Sequence, residues 1–162
     1  EDSGTSRQNV SAKILHDIET ASGVVSLDGT DSTSTNAGDD IINDLARRDF
    51  TINAMALDPK NGTIIDEFGG VDDLNAGIIR AVGNAQARIS EDGLRIMRAF
   101  RFLDSGGLGF RNMDEDLQAA ITDNLHMLGK VSSERKWAEL SRIFQGIKNI
   151  QVVQRSMLVI HM

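Results

Sequence analysis

The sequence predicts an α+β fold, a short helix and a β-hairpin followed by an all-helical segment, on three observations. Two β-compatible runs flank the turn residues Pro59, Asn61 and Gly62. Beyond about residue 84 the apolar residues recur at helical spacing. Between Thr20 and Asp40, 16 of 21 residues are Ser, Thr, Gly, Asn or Asp, so neither period survives there. At 162 residues, 40% of them hydrophobic, the chain has apolar material for the core of one ordinary domain or pieces of two.

In chain order, Val10, Ile14, Leu15 and Ile18 are spaced as on one face of a short helix. The polar stretch after it marks residues 1–39 as an acidic, low-complexity segment, a linker or a foreign piece. From Asp40, Ile41, Ile42 and Leu45 form a helical stripe that leads into RRDF, a helix-to-strand corner before the half-buried run FTINAM. TINAMALDPKNGTIIDEF then reads as the hairpin. Gly69, Gly70 and Gly77 punctuate a compact connection that ends in IIRAVG, and close a unit over residues 40–83. Three helices follow in the unit 84–162: about residues 90–104, stopped by Ser105, Gly106 and Gly107, then about 113–128 and about 132–144.

No Cys occurs, which excludes disulfide frameworks and cysteine-based zinc sites, and His16, His126 and His161 are too scattered for a metal site. No apolar run approaches the roughly 18 residues of a membrane span, and EDSGTSRQNV lacks the apolar stretch of a secretory signal, so no membrane and a cytoplasmic, reducing setting are expected. The chain begins with Glu and ends in SMLVIHM in mid-pattern, which is expected of a fragment. The net charge of −7 lies entirely in residues 1–46, with nine acids against two bases; residues 47–162 balance at 15 of each. Within that neutral part, Arg80 to Arg101 carries five arginines against Glu91 and Asp92, a clustering that suits a phosphate-bearing ligand and equally a solvated helix face.

Two clusters carry the candidate chemistry. In EDGLRIMRAFRF, Asp92 and Arg95 lie three apart, which on a helix sets an acceptor-only carboxylate beside a donor-only guanidinium. Cytosine and adenine each show an amino donor next to a ring-nitrogen acceptor, whereas uracil and guanine show a carbonyl next to an N–H. Such a pair would therefore accept C and A and reject U and G. Arg98 and Arg101 continue the spacing of three as a winding basic row for triphosphate or RNA backbone. The same spacing also describes a surface helix whose arginines pair with Glu91, Asp92 and Asp104. Gly93 speaks mildly against pure scaffolding, because a glycine inside a helix costs about 1 kcal/mol relative to Ala. In the second cluster Arg47, Arg48 and Asp49 are consecutive, so one arginine must point away from Asp49; the triplet suits a ribose hydroxyl and a phosphate met together, or a solvated turn.

RRDFTINAMALD, IIDEFGGVDDLNAGIIRAVG, RISEDGLRIMRAFRF and VSSERKWAEL, in this order and spacing over about residues 40–146, closely resemble the class II tRNA nucleotidyltransferases (CCA-adding enzymes) and their bacterial poly(A) polymerase relatives. The resemblance implies that residues 40–83 are the C-terminal part of a nucleotidyltransferase head and 84–162 a helical, RNA- and nucleotide-binding neck. It implies sugar and phosphate contacts for Arg48 and Asp49, base selection by Asp92 and Arg95, a nucleotide site completed by Arg98 and Arg101, and support from Glu91 and Arg47. Glu134 and Arg135 of VSSER match a neck-stabilising element. The implied partners are ATP, CTP and tRNA.

The family's GG...RD stretch and Asp-x-Asp pair, which hold Mg²⁺ in the intact enzyme, are not matched; Asp2, Asp28, Asp31, Asp39 and Asp40 do not have that spacing. No catalytic residue, no metal ligand and no nucleotide addition are therefore expected of this chain by itself. The implied function is template-independent addition of C and A to the tRNA 3′ end. The rival readings are a non-catalytic nucleotide- or RNA-binding remnant fused to a phage-like structural linker, and a structural protein in which the helices only pack.

Overall fold

The computed structural model describes residues 25–26, 37–58, 61–103 and 111–146. Helix α1 (Ala37–Ala46) starts three residues before the expected position. Leu45, 2% exposed, buries its side chain with Ala54, Ala56 and Val82, and Ile41 packs on the same cluster one turn earlier. Ile42 falls on the outer side. The expected hairpin is present as β2 (Ala56–Asp58) antiparallel to β3 (Thr63–Ile65).

Two further strand pairings are tertiary. β1 (Val25–Ser26) adds to β2 in parallel, inside the stretch read as linker; Val24 and Val25 are its one pair of adjacent β-branched residues, and the reading of that stretch as wholly irregular is corrected there. The short helix expected over 10–20 and most of 1–39 lie outside the described residues. β4 (Ile78–Ile79) pairs in parallel with β5 (Asn112–Met113), where a helix was expected to begin. Strands of two residues are too short for a period of two to show.

FTINAM is not extended throughout. Thr51–Asn53 forms a fully buried 3-10 turn, entered from an isolated bridge between Phe50 and Ala81 and held by Thr51 N–H on the Arg80 carbonyl at 3.0 Å. Glycine is required opposite this turn, because a Cβ on Gly70, the first residue of α2 (Gly70–Ala76), would lie 2.2 Å from the Thr51 carbonyl oxygen.

The helix expected over 90–104 is two helices. α3 (Ala85–Glu91) is capped by Asn84, whose Oδ1 accepts from Ala87 N–H at 2.8 Å, and α4 (Leu94–Phe102) follows after an elbow at Asp92 and Gly93. Asp92 is extended there (φ −146, ψ 106), and its carboxylate accepts from Leu94 N–H at 3.0 Å. Gly93 is explained by packing: a Cβ on it would stand 2.5 Å from the Met127 carbonyl oxygen, in the 3-10 segment Leu125–Lys130. Gly93→Ala is expected to destabilise the chain by about 1–3 kcal/mol through this overpacking, read as a lowered midpoint in urea. An unchanged midpoint would show that the 3-10 segment yields freely.

α5 (Glu115–Asp123) is capped by Asp114 at its start and stops five residues earlier than expected. Buried Asn124 closes it, with both its backbone N–H and its side-chain Nδ2 on the Ala120 carbonyl. α6 (Ser133–Gly146) matches the third expected helix. One core joins the strand-bearing part to the helices: Phe50 meets Phe102 edge to face at 5.8 Å, among Ile52, Ile79, Ile89 and Ile96. Among the described residues no helix is long and apolar enough to cross a membrane.

Candidate functional site

The corner after α1 places the RRD triplet where the two parts of the chain meet. Arg47 points away, three-quarters exposed, and Arg48 turns back to Asp44 at 3.0 Å. Asp49 is buried, 7% exposed, and its Oδ1 accepts from Phe50 N–H at 3.0 Å and from Asn53 Nδ2 at 3.2 Å. Its Oδ2 accepts from Arg98 Nε at 2.6 Å, across 49 residues of sequence. Arg88 of α3 donates Nη2 to the Ala46 carbonyl and Nε to the Val82 carbonyl at 3.1 Å. Two arginines from successive helices therefore anchor the EDGLR segment on the RRD corner.

The side chains of Asp92 and Arg95 do not pair with each other, although the Arg95 N–H donates to the Asp92 carbonyl at 3.0 Å; each side chain has another partner. Asp92 Oδ2 accepts from Arg135 Nη2 of α6 at 2.7 Å. Arg95 Nη1 donates to Glu91 at 2.7 Å and to the Arg88 carbonyl at 2.6 Å, the i,i+4 pairing that a helix favours. Arg101 is turned toward α6: its Nε donates to Glu139, itself 1% exposed, and its guanidinium lies 4.2 Å over the Phe102 ring. The candidate residues thus divide, with Arg48, Asp49 and Arg98 at one corner, Glu91, Asp92 and Arg95 at the elbow beside it, and Arg101 turned from α4 to Glu139 of α6. The alternative of a helix face whose arginines pair with nearby carboxylates is correct for Glu91 and Arg95. For Arg98 and Arg101 the partners are distant in sequence.

Burial pushes the Asp92 carboxyl upward, but the donors from Arg135 and Leu94 N–H, with the nearby charges of Arg135 and Arg95, outweigh it and hold the group below the ordinary aspartate range. Glu91 is likewise lowered, first by the hydrogen bond from Arg95. A carboxyl lowered on folding contributes stability above its unfolded value of about 3.9, and that contribution is lost as pH falls through the folded value. Acid below about pH 4 should therefore loosen α6 from the elbow. In ¹³C titrations Arg135→Ala is expected to move the Asp92 midpoint upward; an unmoved midpoint would mean that the pair does not persist in solution.

Four residues outside the sequence-based set extend the junction. Thr51 Oγ1 donates to Asp73 at 2.7 Å, Arg80 Nε donates to Asp73 at 3.1 Å, and Arg80 Nη1 donates to the α5 cap Asp114 at 2.7 Å. Their separation in sequence hid them, whereas the pairing of Arg88 and of Arg95 with Glu91 was legible as i,i+3 and i,i+4 spacing. Among the described residues no three His, Asp or Glu side chains group to hold a metal ion.

The model for the Poly A polymerase head domain matches residues 6–80, which includes most of the acidic stretch. The model described as the probable RNA and SrmB- binding site of polymerase A matches residues 110–154. A CCA-adding enzyme of Streptococcus uberis is 50% identical over 103 residues, 64% of this chain and 25% of that protein. The structure of the Bacillus stearothermophilus CCA-adding enzyme in complex with CTP shares 39% identity at a TM-score of 0.64, over 74% of this chain and 28% of that one. The Thermotoga maritima CCA-adding enzyme complexed with tRNA shares 34% identity at a TM-score of 0.64, over 74% and 29%. The chain spans about a quarter of the length of the curated relatives it matches. Sequence and fold agree over the same motifs, and this chain belongs to the class II tRNA nucleotidyltransferase and bacterial poly(A) polymerase family, from the end of the head into the helical region.

Proposed function

We propose that this chain forms the nucleotide-selecting portion of a template-independent RNA nucleotidyltransferase that adds C and A to the tRNA 3′ end. The anchoring of the EDGLR elbow on the RRD corner, through Arg88 on Ala46 and Arg98 on Asp49, carries the reading. It brings base-reading and sugar-reading groups to one junction, although 40 and more residues separate them in the chain.

The side chains keep the hydrogen-bonding capacity this requires. Each oxygen of Asp92 holds one donor, which leaves an acceptor position on both for the exocyclic amino group of C or A. Arg95 uses Nη1 within the protein and keeps Nε and Nη2 for the adjacent ring nitrogen. Arg135 and Glu91 hold these two in place. Asp49 accepts from the ribose, and Arg48 with the terminal amines of Arg98 meets phosphate. Phosphoryl transfer in this family calls for Mg²⁺ held by carboxylates, and the described residues supply no such group, so no step of the transfer is assigned to them.

Titration of the chain with CTP, ATP, UTP and GTP, followed by amide chemical shifts, tests the reading. CTP and ATP are expected to bind about tenfold or more tightly than UTP and GTP, with the largest shifts around residues 91–95. Equal affinity for all four nucleotides would refute the selecting role.

A further inference from the structure

Asn53 stands at the RRD corner with one half of its amide satisfied. It is 5% exposed and donates Nδ2 to Asp49 Oδ1 at 3.2 Å. Its Oδ1 is the one buried side-chain polar atom among the described residues that has no hydrogen-bond partner. The amide cannot be turned to relieve this, since its oxygen would then face a carboxylate oxygen that only accepts. An unpaired buried acceptor costs stability, and an apolar side chain of the same size would avoid that cost. What the asparagine supplies in return is its contact with Asp49.

That contact decides what Asp49 has left to offer. A carboxylate accepts about four hydrogen bonds, two at each oxygen. Oδ1 is filled by Phe50 N–H and Asn53 Nδ2, and Oδ2 carries Arg98 Nε. One acceptor position remains, on Oδ2, and the three donors set the plane and direction of the carboxylate that presents it. We propose that Asn53 is a positioning residue for Asp49: it aims the last acceptor position at a ribose hydroxyl and so carries the preference for ribonucleotides over deoxyribonucleotides. The inference rests on the reading of Asp49 as the sugar-binding residue and assigns its control to a neighbour four residues away.

The test compares CTP with 2′-deoxy-CTP and 3′-deoxy-CTP on the 162-residue chain by amide shift titration, in Asn53→Leu and Asn53→Ala, each also combined with Asp49→Ala. The unaltered chain should prefer CTP to one deoxy analogue by about tenfold, the worth of one hydrogen bond to a charged group. Asn53→Leu should bring that ratio close to one and should add nothing in the Asp49→Ala background. Asn53→Ala reads the same ratio if the leucine does not pack. Retention of the parent's ratio in both Asn53 variants overturns the proposal while CTP binding, still seen, leaves the nucleotide-selecting reading standing. So does an equal loss of CTP and its deoxy analogues with a lowered melting temperature, which would mark a structural role. Absence of any preference in the parent also overturns it. If the parent binds no nucleotide, the selecting reading falls, and this inference with it.

Discussion

Replacing Arg101 by alanine is expected to destabilise the folded chain by about 3 kcal/mol, the lower end of the cost of removing one partner from a buried ion pair. Glu139 is 1% exposed and takes hydrogen bonds from Arg101 Nε and, at 3.2 Å, from Arg142 Nη1. Arg101 is itself only 14% exposed, whereas Arg142 is 61% exposed and cannot shield the carboxylate alone. The stacking of Arg101 over Phe102 adds about 0.5–2 kcal/mol. For a chain of this size the loss corresponds to a fall of roughly 6–12 °C in melting temperature. Replacing both partners by apolar residues, Arg101→Met with Glu139→Leu, should restore most of the stability, because no unpaired charge is then left inside. A variant Arg101→Ala that melts with the parent and only binds nucleotide less well would return Arg101 to the ligand site that its spacing first suggested.

Arg95→Ala is expected to act on choice of nucleotide more than on folding, in a protein with an intact catalytic head supplied upstream. In the proposed function Arg95 supplies the donor that C and A need and that U and G do not match, so its loss should reduce discrimination by about 1–3 kcal/mol, tenfold or more. Its ion pair with Glu91 is half exposed on the glutamate side and contributes little, so the melting temperature should stay within a few degrees. Arg98→Ala should behave differently, because it takes a donor from buried Asp49 as well as charge from phosphate: stability and affinity fall together, with the C and A preference kept. Incorporation of the four nucleotides by both variants separates the two roles. Equal loss for all four in Arg95→Ala, at unchanged selectivity, would remove the base-reading role.

Local regularities were legible because their causes are local. The hairpin around Asn61 and Gly62, the helix with Ile41 and Leu45, and the helix over 133–146 rest on turn chemistry and on spacings of three and four that a linear text displays. The same text could not show that the helix around Asp92 breaks. Nor could it show why residue 93 is glycine: the Met127 carbonyl, 34 residues away, stands 2.5 Å from where its Cβ would lie.

By itself the sequence determined the α+β order and, through its four motifs, the family. The tertiary structure decided who pairs with whom: Asp92 with Arg135, Arg98 with Asp49, Arg101 with Glu139. The physical reason is that spacing fixes neighbours only within one element, whereas an arginine's partner is whichever carboxylate the packing of the core brings within hydrogen-bond reach. Here the edge-to-face contact of Phe50 with Phe102 sets the RRD corner against α4, and with it which arginine meets Asp49 and which is left to the neck.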